Sequence, residues 1–509
     1  MLLLYNKINA YHMGGIVLFS VNVVTDSGTL TKEYNQPVLL SRVQGDLNLQ
    51  NDYPCNGRGT CGKCKIRVKG EISPLSTAEL KLLSDDEIKK GVRLSCQAYA
   101  IGDAIIEYTP DTFNIKGVTQ GFMPDFIKNP ITSAENCKAI AVDIGTTTVA
   151  AYLYSFPESI CTKTLCKKNL QTKFGADVIS RMEYAMQGGA DELKKTINDQ
   201  INAMILEMTD EEPDTLVITG NTIMLHFLTG LNTLGIAQAP FTPESLFGMW
   251  NGRTYVPRCI SSYVGADITT AVIASNMLGE KTSFLVDIGT NGEMALWHKG
   301  KLTCCSTAAG PAFEGADISH GMLATTGAIN KVYIIDNTVA YETIDGAEAI
   351  GICGTGVIDA ISCMLTLGII DETGYMDNDF EIGNSGIYIT NQDVRAVQLA
   401  KAAISAGIEA LLSECKVSYE EIEKFYIAGG FGAFIDINSS ANIGLIPKPI
   451  INKAVVLGNA AGIGAAVILQ SRDMLEKSEE IAKTAAAIEL ADSPVFTEKY
   501  INNMYFKTL

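Results

Sequence analysis

The sequence predicts an α/β protein preceded by a small α+β domain, with the α/β part built as two related lobes. Three observations carry this. Four cysteines, Cys55, Cys61, Cys64 and Cys96, sit among short alternating strands near the start of the chain. From Lys138 onward, strongly apolar strands alternate with helices to the end, a pattern that indicates layered α/β structure. One strand–turn–strand motif occurs twice in that region, at a separation that suits two lobes rather than a short-period solenoid.

A chain of 509 residues is long enough for three or four domains. The reading places a small β-rich domain at 15–110, a connector at 111–136, a first lobe at 137–257 and a second lobe at 258–509. With 47% hydrophobic and 19% charged residues, the composition is that of a globular protein with ample core. A formal net charge of −18 argues against a nucleic-acid partner, because phosphate backbones call for a basic footprint. No run reaches the roughly 18 apolar residues of a membrane span. Met1-Leu-Leu-Leu-Tyr5 lacks the apolar core and cleavage site of a secretory signal, so a cytoplasmic protein is expected. Met13, just ahead of the first strand, is a second candidate start.

In the first domain, a strand from Ile16 to Val24, a turn at Asp26-Ser-Gly28 and a strand from Leu30 to Tyr34 read as an opening hairpin. Next comes Cys55-Asn-Gly-Arg-Gly-Thr-Cys61-Gly-Lys-Cys64, and the fourth cysteine follows after 31 residues. Three thiolates on one tight loop and a fourth from elsewhere suit a [2Fe–2S] cluster. Gly57, Gly59 and Gly62 let the backbone turn with positive φ, and Arg58 and Lys63 offset cluster charge. Lys65 to Lys69 alternates as an edge strand would, Ser76 to Lys89 is helical, and Ala104 to Tyr108 closes the domain. This is the layout of a β-grasp ferredoxin. The other cysteines, among them Cys137, Cys161, Cys166, Cys259, Cys363 and Cys415, read as small buried hydrophobes rather than a disulfide framework. The Cys304-Cys305 pair is expected to pack just after a strand.

The repeated motif is an apolar strand, an Asp-Ile-Gly-Thr turn and a second apolar strand. It runs through Asp143, Gly145, Thr146, Thr147 and Thr148 in the first lobe, and through Asp287, Gly289, Thr290 and Asn291 in the second. Glycine lets backbone N–H groups face an anion, and threonine or asparagine side chains add donors. Asp143 and Asp287, at strand ends, would hold Mg²⁺ mainly through its waters. One such turn closes many ordinary hairpins; two copies heading two lobes point to the β- and γ-phosphates of ATP. Phe425-Tyr-Ile-Ala-Gly429-Gly430-Phe431 reads as a strand running into paired glycines and a helix start, a place for adenosine against bare backbone. Gly351-Ile-Cys353-Gly354-Thr355-Gly356 is either a second nucleotide contact or a plain strand-to-helix turn. These parts are similar to those of the sugar kinase, heat-shock ATPase and actin superfamily, the two-lobed ASKHA fold.

Both domains in this order resemble the reductive activators of corrinoid proteins, over nearly the whole chain from about residue 15. Further family-like stretches are Asn169-Leu-Gln171, Gly175-Ala-Asp177 through Arg181, Gly220-Asn221 through His226, Gly265-Ala-Asp267, Gly310-Pro-Ala-Phe-Glu314 and Leu457-Gly-Asn459-Ala-Ala-Gly462. The last carries Ala460-Ala461 where hydroxyl or other residues are common. The resemblance implies ATP-dependent return of one electron to a Co(II) corrinoid, giving the Co(I) form that methyl transfer needs. Each ~59 mV of an uphill one-electron gap is a factor of ten, so a shortfall of about 200 mV needs roughly 5 kcal/mol. It also implies a partner corrinoid protein of a methyltransferase system, an external low-potential electron donor and a homodimer. Asp143 and Asp287 would position magnesium and water, the Thr146–Thr148 and Thr290–Asn291 loops would sense the γ-phosphate, and the connector would let the ferredoxin domain approach its target.

Other readings remain open at this level. An activator of 2-hydroxyacyl-CoA dehydratases pairs the same nucleotide fold with a [4Fe–4S] cluster, which the C-x5-C-x2-C loop argues against. A carbohydrate kinase with a fused redox sensor would need an aspartate base, for which Asp267 and Asp317 are exposed-turn candidates. A redox-controlled binding protein would hold ATP without turnover. Glu293 and Glu314 either assist magnesium or water, or form a salt bridge or cap. His12, His226, His298 and His320 are too scattered for a metal site and read as structural.

Overall fold

The ferredoxin-like sheet is built from β1 (Phe19–Thr25), β2 (Gly28–Tyr34), β3 (Val38–Leu39), β4 (Lys65–Ile72), β5 (Val92–Leu94) and β6 (Tyr99–Glu107). Its order is β2-β1-β6-β4-β5, with β3 on β6. The computed structural model describes residues 18–25, 28–47, 49, 57, 59, 62, 64–108, 119, 121–430 and 434–506. Cys55, Arg58, Cys61, Lys63, Phe431, His12, Met13, the start of the Ile16 strand, the Asp26 turn and most of 109–120 lie outside the described residues. The chain forms two units, Met1–Thr112 and Phe113–Leu509.

In the first unit, helix α1 (Leu40–Asp46) packs Leu40 and Val43 with Val21, Val23 and Ile106 of the sheet. β4 lies between β6 and β5, so it is an interior strand and not an edge. Its alternation arises because Ile66 and Val68 face the core while Lys65, Arg67 and Lys69 face solvent. The expected single helix over 76–89 is two short ones, α2 (Thr77–Leu82) and α3 (Asp85–Lys89). Each opens with its own Ser-x-x-Glu capping box, Ser76 with Glu79 and Ser84 with Glu87, so Ser84 interrupts the run. Buried Glu79 accepts from Arg93 Nε at 2.7 Å and Nη2 at 2.9 Å, and from the Leu94 N–H at 3.1 Å, tying α2 to β5 just ahead of Cys96. The closing strand starts at Tyr99, earlier than the expected Ala104.

The second unit repeats one design. β7 (Lys138–Ile144), β8 (Thr148–Ser155) and β9 (Ile160–Lys168) form an antiparallel meander. β10 (Thr215–Gly220) then runs parallel to β7, and β11 (Met249–Asn251) and β12 (Thr254–Val256) complete the sheet. In the second lobe, β13 (Ser283–Ile288), β14 (Asn291–His298) and β15 (Lys301–Ala308) form the equivalent meander. β16 (Ala328–Ile335), β17 (Thr338–Thr343) and β18 (Gly351–Ile352) make a separate small sheet, and β19 (Phe380–Glu381) with β20 (Tyr388–Ile389) a hairpin. β21 (Lys424–Ala428) lies parallel to β13, β22 (Ala454–Gly458) parallel to β21, and β23 (Ala486–Ile488) beside β15. Strand order β9-β8-β7-β10-β12 thus matches β15-β14-β13-β21-β22, which places the two Asp-Ile-Gly-Thr turns at equivalent points.

Helices α4 (Val178–Tyr184), α5 (Ala190–Met208) and α6 (Thr222–Thr229) cover one face of the first sheet through Ile140, Val142 and Ile144. Its other face meets α7 (Ala266–Ser275), and the second sheet is covered outside by α8 (Gly354–Thr366) and α9 (Asn391–Cys415). Among the described residues α9 alone is long and apolar enough to cross a membrane, and 78% of its apolar window is buried in this lobe. Helix α10 (Ile437–Asn442) follows β21, and α11 (Ala460–Gln470) packs against α7 between the sheets. α11 is buried along its whole length and α7 at every residue but Asp267, as helices packed between two layers are. At their crossing a Cβ on Gly464 would stand 1.9 Å from the Thr270 carbonyl oxygen. Gly464→Val is therefore expected to force the helices apart and lower stability by about 3 kcal/mol, read from the urea midpoint; an unchanged midpoint would contradict this packing.

Residues 121–131 lie along the second lobe, with Phe122 N–H donating to Leu457 O and Ile131 N–H to Leu469 O. Cys304 and Cys305 are within β15, not after it, and both are fully buried. Cys259 and Cys363 are buried, whereas Cys161 is exposed on β9, contrary to the expectation for scattered cysteines. His226 is buried and satisfied, its Nδ1 2.7 Å from Thr222 O.

Candidate functional site

Each Asp-Ile-Gly-Thr turn closes a hairpin whose strands are pinned on both sides, so the turn is carried on rigid structure. The turn residues Gly145, Thr146, Thr147 and Thr148 face Gly289, Thr290 and Asn291 across a cavity of about 460 Å³ between the lobes. That volume is in the range of small-molecule sites. Asp143, Asp267, Asp287, Glu293 and Glu314 also line it, as do Gly429 and Gly430.

The first turn is braced from behind. Fully buried Arg181 donates through Nη2 to Thr146 O at 2.7 Å and through Nε to Gly175 O at 2.8 Å, and Asn169 Nδ2 donates to Gly145 O at 2.8 Å. From the second lobe, Asn459 caps α11 by accepting from Gly462 N–H, while its Nδ2 donates to Asp143 Oδ2 at 2.9 Å. Glu314 accepts from the hydroxyls of both Thr147 and Thr290. Gly429, at φ 104°, lets the chain leave β21 hard against Asp287: a Cβ there would lie 2.8 Å from its Oδ1. Residues 431–433, where the sequence places a helix start, lie outside the described residues; Phe434 is in a helical turn, and α10 then begins at Ile437, capped by Asp436 Oδ1, which accepts from Ser439 N–H.

The carboxylates crowd one another. Burial pushes Asp143 up to about 6, against the hydrogen bond from Asn459. Burial and then the Asp143 charge raise Asp267 to about 7. Asp287 reaches about 8 through burial and the charges of Asp267, Asp143 and Glu314. Glu293 is raised well above the usual range by burial, Asp267 and Asp287. A site that penalises its own ionised carboxylates in this way is complementary to a cation. Among the described residues, however, no three Asp, Glu, His or Cys side chains converge to hold an ion alone.

In the first unit, Cys64 and Cys96 are buried with Sγ atoms 3.1 Å apart, too far for a bond and close enough to share one ion. Leu83 and Leu94 pack against them. Gly57, Gly59 and Gly62 take φ of 74°, 69° and 66°, and a Cβ on Gly59 would stand 2.8 Å from Gln97 Cδ. Gln97 Nε2 donates to Gly57 O at 2.7 Å, closing the loop over the fourth cysteine. This cradle fits a thiolate-held cluster.

The family model described as the C-terminal domain of RACo, the ASKHA domain, matches residues 281–509, and that of the RACo middle region matches 138–280. A 2Fe-2S iron-sulfur cluster binding domain matches residues 24–100. The solved structure of a reductive activator for corrinoid, iron-sulfur protein matches with a TM-score of 0.67 at 27% identity, covering 96% of this chain and 98% of that one. The chain belongs to the reductive activators of corrinoid proteins. In this family, the corrinoid activation enzyme RamQ of Eubacterium limosum is 29% identical over 93% of this chain and 97% of its own length. The [Co(II) methylated amine-specific corrinoid protein] reductase of Methanosarcina barkeri is 29% identical over 72% of this chain and 77% of its own.

In this activator the structure gathers Asp143, Gly145, Thr146, Thr147, Thr148, Asp287, Gly289, Thr290, Asn291, Gly429 and Gly430 around one cavity. Cys353, Gly354 and Thr355 line it as well, at the start of α8. Asp267 is no exposed turn residue but a cavity carboxylate at the head of α7, while Asp317 is exposed at φ 59° and lies outside the lining. The roles of Asn459, Arg181 and Asn169 at the first turn are not legible in their own motifs, because the partner each reaches there, Asp143, Thr146 or Gly145, lies in another segment.

Proposed function

We infer that this activator delivers one electron, taken from an external low-potential donor, to a Co(II) corrinoid on a methyltransferase's corrinoid protein, producing Co(I) with the help of ATP. The observation that carries this is the presence on one chain of a two-lobed cleft with duplicated phosphate turns and a buried cysteine cradle. The names of the relatives support the corrinoid protein as partner.

Cys55, Cys61, Cys64 and Cys96 would hold the [2Fe–2S] cluster, which when bound supplies a one-electron carrier. The Thr146–Thr148 and Thr290–Asn291 turns would bind phosphates from opposite walls, and the Gly429–Gly430 turn, with Phe431, would lie against adenosine. Asp143 and Asp287 would hold the waters of Mg²⁺, with Asn459 keeping the Asp143 carboxylate aimed into the cleft. Nucleotide can drive the reduction only by binding two conformations of the activator unequally. The test combines anaerobic protein, a chemical reductant, ATP and a Co(II) corrinoid protein. The Co(I) absorbance band is expected only with all components, and its absence beside ATP-dependent sugar phosphorylation would reject the reading.

Magnesium leaves a pH signature. Asp287, Asp267 and Asp143 are raised in the folded protein, so between about pH 4 and 8 the folded state binds more protons than the unfolded one. The nucleotide-free fold therefore loses stability as pH rises through that window. A bound cation favours the ionised carboxylates, so Mg²⁺–nucleotide binding is expected to release protons and tighten from pH 6 to 8. Calorimetry in two buffers of unlike ionisation enthalpy reads this directly, and proton uptake would contradict it.

A further inference from the structure

Glu314 lies outside every motif that marks the phosphate turns, yet it is the group that joins them. It ends a short turn, Pro311–Glu314, set between Gly310 at φ 78° and Gly315 at φ 80°. That turn is tied to the second lobe, since Gly310 N–H donates to Thr290 O at 2.9 Å. From there the carboxylate accepts from Thr290 Oγ1 at 2.9 Å and, across the cleft, from Thr147 Oγ1. It stands directly over the second turn, for a Cβ on Gly289 would be 3.5 Å from Glu314 Oε1.

We propose that Glu314 is a positioning residue of the phosphate site: an internal anion that holds both turns together and must leave before phosphate can take their hydroxyls. The argument rests on the nucleotide reading given above and on hydrogen-bond arithmetic. A threonine hydroxyl has one proton to donate. Thr147 and Thr290 both give theirs to Glu314, so a phosphate oxygen receives neither until the carboxylate lets go. Carboxylate and phosphate are also like charges, and holding them side by side in a half-buried cleft is costly. Departure of Glu314 removes the Thr147 link between the lobes, so phosphate binding is coupled to their freedom to move. Glu314 thereby sets nucleotide affinity and makes the arrival of phosphate a structural event.

The test uses the anaerobically purified full chain, a non-hydrolysable ATP analogue with Mg²⁺, and the E314Q and E314A variants. Calorimetry gives affinity, and hydrogen exchange of 145–148 and 289–291 without nucleotide gives the hold on the turns. Glu314→Ala is expected to bind the analogue about 10-fold more tightly, with faster exchange in both turns. Near-isosteric Glu314→Gln, which keeps one accepting oxygen and no charge, is expected to shift the same way by less. Unchanged or weaker affinity in both variants, whatever the exchange, would overturn the inference and make Glu314 a direct ligand or a structural strut. Wild-type protein that binds no analogue would instead fail the nucleotide reading and the inference with it.

Discussion

Replacing Cys64 with alanine is expected to abolish electron delivery while leaving nucleotide binding intact. Cys64 is one of two cysteines whose thiols meet in the buried cradle with Leu83 and Leu94, and among the described residues packed there Cys96 is the one other thiol. Bound iron and visible absorbance should be lost together, and Co(I) formation should fall at least ~100-fold, because the outward path of the electron is gone. The cavity proposed for nucleotide is lined by residues of the other unit, so affinity for an ATP analogue should match wild type. Cys161→Ser, at an exposed position on β9, serves as the control and should change neither. Full cobalt reduction by the Cys64 variant would remove the cluster from the account.

The second large effect lies at Asp287, and it has an opposite sign for function and for stability. Asp287→Asn should leave iron content unchanged and reduce nucleotide-dependent cobalt reduction by about 10- to 100-fold, as loss of a group that orients metal-bound water does. The same substitution removes a buried carboxylate that its neighbours penalise, since burial and the charges of Asp267, Asp143 and Glu314 hold it at about 8. The nucleotide-free variant should therefore unfold at higher urea than wild type above pH 7, with the gain shrinking toward pH 5. A variant that is both less stable and fully active would contradict the placement of Asp287 in a carboxylate cluster awaiting a cation.

What could be read from sequence was local. The two hairpins were legible because each is a strand pair with its turn chemistry written between, and the duplicated sheet order follows from them. The positive-φ glycines of the cysteine loop, Gly57, Gly59 and Gly62, were legible for the same reason. Where the reading erred, a local pattern had two structural meanings. Alternation at Lys65–Lys69 reports one wet face of a sheet, which an interior strand of a half-covered sheet shows as well as an edge. The break at Ser84 was in fact written, as a second Ser-x-x-Glu box within the presumed helix. Cross-lobe contacts were not written anywhere local: Thr147 and Glu314 are 167 residues apart, and Asp143 and Asn459 are 316 apart. Nothing in either segment alone specifies such a partner; only closure of the two sheets around α7 and α11 brings them together.

The central claim is that nucleotide in the two-lobed cleft drives the electron held by the ferredoxin domain to a cobalt that would otherwise stay oxidised. The most direct measurement fixes the donor at one low potential and follows Co(I) absorbance with ATP, with the non-hydrolysable analogue and with no nucleotide, using the full chain and a Co(II) corrinoid protein. Co(I) should accumulate with ATP at least ~10-fold faster than without nucleotide, a difference of about 1.4 kcal/mol in barrier. Equal rates in all three would contradict the account.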